Sequence, residues 1–168
     1  AAARQARQAQ RTADAQAARD NGAVASPRSA LVKSLIEVDE MLRLKSYAEA
    51  ETRLRALLLE FPGEPRIFFA LGQSASLSAR DVTDEDVQSE RLNRALAHYR
   101  LAVNASSADT DRALLSRAHE AMGRILEFFD RTEEAAKEFN AAIEIGRVNG
   151  GAYDQAVAGK NRLAQPKQ

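Results

Sequence analysis

Cysteine is absent from the 168 residues, and aromatics make up only 5% of them. Without cysteine the chain forms no disulfide, no thiolate zinc site and no cysteine nucleophile. The compartment is left open by this. A net charge of one sign is also missing, because 24 basic residues balance 24 acidic ones. That balance makes no general electrostatic case for nucleic acid or a membrane surface as partner. No apolar run approaches the roughly 20 residues of a spanning helix, so no membrane insertion is expected. There is no initiator methionine, and the chain reads as a piece of a longer protein. Four prolines and eight glycines punctuate it, most of them between apolar-periodic stretches. What is abundant is alanine, which suits close-packed helices better than a β-sandwich. The expected class is all-α, and the alanine-rich, cysteine-free composition hints at a bacterial source.

Residues 1–25 form an Ala/Arg/Gln-rich segment, expected to be a helix and linker. Ala2, Ala6, Ala9, Ala13 and Ala17 make a stripe that buries little area, so such a helix is marginal alone. It is either a linker ordered by a neighbour or a helix that lies in a groove of this chain or of a second copy. Asn21-Gly22 is a turn signal, and Ser26-Pro27 reads as an N-cap with proline in the first turn. Leu31, Leu35, Val38 and Leu42 then share one helical face. So do Tyr47, Ala50, Leu54, Leu57 and Leu58 on the next helix. Later, Ala95, Tyr99 and Ala102 recur as Ala135, Phe139 and Ala142, each at i, i+4, i+7. Gly123 precedes Ala135 by twelve residues, while Gly72 precedes Ala95 by 23. An eleven-residue insertion therefore lies around Ala79 to Gln88, expected as a lengthened hairpin whose second helix starts near Asp84. Thr83 and Asp86 look like a weak capping box there.

The pattern of a large residue, Leu71-Gly72, then Ala95, Tyr99 and Ala102 resembles the tetratricopeptide repeat, TPR. So does the Gly123, Ala135, Phe139, Ala142 set. The step from Val38 to Gly72 is the family's 34 residues, and Pro62 falls where its closing proline stands. The resemblance implies a right-handed superhelical array of about three helix hairpins, over 31–63, 65–107 and 111–146. A capping helix follows at 152–164, in which Tyr153, Val157 and Leu163 cover the open end. The TPR-like domain is thus 26–168. A different helical hairpin array is the alternative.

No catalytic motif is present, and no enzyme activity, metal or cofactor is expected. His98 and His119 sit on different helices without a third ligand. His119 is expected to be a packed core histidine, and His98 to face solvent or a neighbouring repeat. Asp81, Asp84, Glu85 and Asp86 lack calcium-loop spacing and suit a helix start instead. Asn104-Ala105-Ser106 is a glycosylation sequon that matters only in a secreted eukaryotic chain.

In TPR proteins the first helix of each hairpin lines a concave groove. Carried over by position, the groove residues are Leu35, Asp39, Arg66, Phe69, Gln73, Arg117, Glu120 and Arg124, accompanied by Arg43, Leu77 and Glu127. Phe68 fills the core position, so Phe69 is either an exposed anchor for a peptide or packs under the lengthened hairpin or the N-terminal helix. The clamp that some TPR domains use for a terminal carboxylate is not expected. Its places hold Leu35, Asp39, Ala70 and Ala121, with only Arg117 compatible. The resemblance implies a non-catalytic adaptor or scaffold binding a protein or peptide. Self-association through the N-terminal helix, or regulation of an enzyme elsewhere in the parent chain, are the other readings.

Overall fold

Ser26 and Pro27 open the first helix as the sequence predicts: Ser26 Oγ accepts the Ser29 N–H at 3.2 Å. The computed structural model describes residues 26–165. The expected N-terminal helix lies outside them. The described residues hold seven helices and no strand. They are α1 (Pro27–Arg43), α2 (Tyr47–Glu60), α3 (Pro65–Arg80), α4 (Glu85–Asn104), α5 (Arg112–Phe128), α6 (Thr132–Ile145) and α7 (Tyr153–Leu163). Two compact units are divided between Ile36 and Glu37. The boundary thus falls inside α1, whereas the change of composition falls at residue 25. In the described part of the first unit, Leu31 and Ser34 are buried and Leu35 is half-buried.

In the second unit each helix from α2 to α7 packs on its neighbour in sequence, and α3 also meets α5, as α5 meets α7. The links after α1 and α5 share one turn. Lys45 and Asp130 adopt φ of 60° and 57°. The Ser46 N–H reaches back to the Met41 carbonyl at 2.9 Å, as the Arg131 N–H does to Leu126 at 2.9 Å. These bonds satisfy the last free carbonyls of each helix.

The middle hairpin carries the insertion inside its helices. α3 runs eight residues past Gly72, where α5 runs five past Gly123. α4 has ten residues ahead of Ala95, where α6 has three ahead of Ala135. Only the link grows by a single residue, from 129–131 to 81–84. The start of α4 corrects one expectation. Asp84, not Thr83, is the cap, and its carboxylate accepts the Val87 N–H at 3.0 Å. Asp81 closes the other end of the link by accepting from Lys45 Nζ and the Tyr47 hydroxyl, each at 2.9 Å. The acids therefore have structural duties, as their place at a helix start suggests.

Tyr99 and Phe139 each pack closely against a glycine. A Cβ added to Gly72 would stand 2.7 Å from the Tyr99 ring, and one on Gly123 2.6 Å from Phe139. Phe139 is covered on a second side by Gly159, where an added Cβ would stand 2.5 Å away. This explains a departure in α7. Ala156 and Gly159 are its buried residues, while Tyr153, Val157 and Leu163 are only half-buried. The ring of Phe139 occupies the space a large α7 side chain would need, so close approach favours small residues. His119 is likewise half-buried, not core: its Nδ1 lies 2.7 Å from the Glu138 carboxylate, a partner an apolar core site lacks. His98 is half-buried, with an Nδ1 that has no partner among the described residues.

Candidate functional site

On α3, Phe69, Gln73, Ser76 and Arg80 follow steps of four, three and four, which place them along one stripe. On α5, Arg117, Glu120, Ala121 and Arg124 stand at i, i+3, i+4 and i+7 and likewise share one stripe. The two stripes face each other across an open cavity of about 420 Å³. Tyr99 reaches it from α4, and Gly150, Gly151, Ala152 and Gln155 wall one end.

The floor is aromatic. Phe69 and Tyr99 meet at 5.4 Å between centroids, tilted by 57°. The Arg117 guanidinium lies 4.9 Å over the Phe69 ring, a stacking that holds an exposed cation in place and contributes about 0.5–1 kcal/mol. Phe69 is therefore a buried floor residue, only 6% exposed, and the exposed-anchor expectation is corrected. Phe68 is the half-buried one. The reason is the number of neighbours. α3 packs on α2, α4 and α5, so its buried arc runs from Ile67 through Phe69 to Leu71. A one-stripe reading of α3 is too narrow.

Above the floor the cavity is cationic. Arg80, Arg117 and Arg124 face it, against the single carboxylate of Glu120. Arg80 has no ion pair among the described residues, while Arg124 Nε lies 3.4 Å from Glu120. Burial pushes the Glu120 carboxyl above its usual range, and the charges of Arg124, Arg162 and Arg80 oppose that rise. Burial likewise raises the Tyr99 phenol, keeping its hydroxyl neutral. The Glu120 shift has a definite sign. A raised native value means that stability from this group is full below the unfolded value of 4.5 and is lost as pH rises through the native value. Glu120→Gln should therefore gain stability relative to the parent as pH goes from the acidic range to neutrality. Thermal melts of both proteins across that range check it, and parallel pH profiles would contradict it.

The end wall hangs on one hydroxyl. Ser116 is fully buried, and its Oγ accepts the Ala152 N–H at 3.0 Å. Arg147 braces the same segment, 4.5 Å over the Tyr153 ring and 2.7 Å from Asp154. Ser116→Ala strands a buried N–H, and a loss of about 1–3 kcal/mol is expected in chemical denaturation. A loss below about 0.5 kcal/mol would mean that another acceptor or water takes over.

Of the eight residues assigned from repeat position, Phe69, Gln73, Arg117, Glu120 and Arg124 line this one cavity. Leu35 belongs to the other unit. Asp39 is exposed on α1 and is not among the lining residues. Arg66 is absent as well, because the cap of its own helix holds it: its Nε donates to Glu64 at 2.7 Å. Sequence position missed Arg80, Ser76, Tyr99 and Gln155. Arg80 stands seven residues beyond Gln73 on the same stripe, so extending the i, i+7 ladder finds it.

No protein family, curated protein or solved structure significantly matches the chain. Among the described residues, no group of three or more His, Asp or Glu is placed to hold a metal. No helix among them is long and apolar enough to cross a membrane.

Proposed function

We propose that this chain is a non-catalytic protein-interaction module of TPR-like hairpins, whose groove between α3 and α5 takes a peptide or helix from another protein. The observation that carries the reading is the meeting of Phe69, Gln73, Arg117, Glu120 and Arg124 in one open cavity. Repeat spacing alone had grouped them. The succession of contacts, with α3 on α5 and α5 on α7, suits stacked hairpins whose first helices line a concave face. The glycine-to-aromatic contacts at Gly72 and Gly123 suit the same repeat. An aromatic floor beneath fixed polar groups is the usual composition of a recognition groove.

Charge disfavours residues 1–25 as the occupant. They carry Arg4, Arg7, Arg11 and Arg19 against Asp14 and Asp20, so a basic segment would meet a basic cavity.

Panning a random 12-residue peptide library on the full chain tests the proposal. Recovered peptides, titrated by fluorescence anisotropy, should bind saturably and lose about tenfold in affinity or more to Arg117→Glu. Recovery of no peptide, or binding indifferent to Arg117→Glu, would overturn it.

A further inference from the structure

A second, smaller depression of about 200 Å³ adjoins the cavity. Ala79, Leu92, Ile125 and Phe128 make it apolar, and it shares Ser76, Arg80 and Arg124 with the first. Phe128 is 52% exposed although its neighbour Phe129 is half-buried. The two rings meet edge to face at 5.3 Å, so the exposed ring has a fixed rim position. Gln88 belongs to the extra turns of α4, and Ala79 and Arg80 to the extra turn of α3, while Leu92 stands three residues ahead of Ala95, as Thr132 does ahead of Ala135. The third hairpin has no counterpart to these turns. The insertion has therefore built a second subsite beside the first.

The shared residues decide what bridges the two. Arg80 has no ion pair among the described residues, and Arg124 meets only Glu120, at 3.4 Å. A third guanidinium, Arg117, is held over Phe69. One carboxylate does not neutralise three guanidinium groups, so an anionic ligand group is favoured there. An apolar group is favoured a side chain's length away, over Leu92 and Phe128. We infer that the groove recognises an acidic protein segment in which an Asp or Glu side chain sits between Arg80 and Arg124 and a large apolar side chain lies on Phe128 and Leu92. Because three lining residues are common to both subsites, the two side chains are close in sequence. They are two residues apart in an extended peptide, or three to four residues apart on a helix. A polyphosphate chain fits less well, since Glu120 projects into the same cavity and the neighbouring subsite is apolar.

This inference rests on the groove being a peptide site, and the same panned peptides separate the two claims. Recovered sequences should be enriched in an acid with Leu, Ile, Phe, Met or Trp within four positions. Affinity should fall about 30-fold or more on Arg80→Glu/Arg124→Glu and about tenfold on Phe128→Ser. Replacing the peptide's acid by its amide should weaken binding to the parent chain in the same way. Arg80, Arg124 and Phe128 are all exposed, and unchanged circular dichroism and melting confirm that the variants fold. Peptides that bind and respond to Arg117→Glu, yet lack the acid–apolar pair or ignore Arg80→Glu/Arg124→Glu, overturn the inference and leave the groove standing. Recovery of no peptide, with retention of a fluorescent single-stranded oligonucleotide instead, overturns both.

Discussion

Phe139→Ala is expected to lower the unfolding free energy by about 3–5 kcal/mol, the cost of emptying a buried aromatic site. In a chain of this size that is a fall of roughly 6–20 °C in melting temperature. The upper half of the range is favoured by what surrounds the ring. Phe139 is completely buried, and Gly123 and Gly159 face it. Neither glycine has a side chain that can swing into the void. Ala135 and Ala142 flank it on its own helix and are themselves fully buried. Collapse of the hole would require α5 and α7 to move as bodies. Melting followed by circular dichroism measures the effect. A shift below about 4 °C would mean that the helices do close up, and that the ring is a spacer more than a support.

Filling the space has the opposite geometry and also a large cost. Alanine at one exposed helical glycine stabilises by about 1 kcal/mol. Here, Gly123→Ala/Gly159→Ala should destabilise by about 3 kcal/mol or more. The new Cβ atoms would stand 2.6 and 2.5 Å from the same ring, and a rigid ring pressed from two sides has nowhere to slide. Each single substitution leaves one side free to yield, so the pair should cost more than the sum of the two. Adding Phe139→Leu to the double variant should recover part of the loss, because the narrower side chain vacates the contact. Strict additivity, or no recovery with leucine, would show that the ring tolerates both methyls.

The same contacts show what a sequence can reveal. Ala135, Phe139, Ala142 and Gly123 were legible because a helix writes its buried face at fixed intervals, and a glycine opposite an aromatic marks close approach. The cap at Ser26 was legible because capping is local chemistry: its hydroxyl accepts the N–H of Ser29, three residues on. Phe68 and Phe69 were misassigned because their order depends on how many helices surround α3, which no local pattern records. Arg66 was misplaced because Glu64, two residues away, outcompetes the groove for it. Arg80 was missed for a related reason: a 34-residue template has no position for residues of an insertion. Phe128 stands five residues past Gly123, as Leu77 does past Gly72, and was missed because its neighbour Glu127 was assigned to the groove in its place.

The docking of α7 through Ala156 and Gly159 has a consequence for when the groove is whole. Two small residues fix a helix by proximity, with little apolar area holding it. Together with Ala152, whose N–H the Ser116 hydroxyl accepts, they are the buried residues of 150–163, with the half-buried Leu163 packed beside them. This segment should be the first part of the second unit to open, and its amides should exchange with deuterium earlier than those of α5 or α6. Gly150, Gly151, Ala152 and Gln155 belong to the same segment and close one end of the groove. The groove thus has a door hung on its least stable hinge, and an occupant that touches it should slow that exchange on arrival.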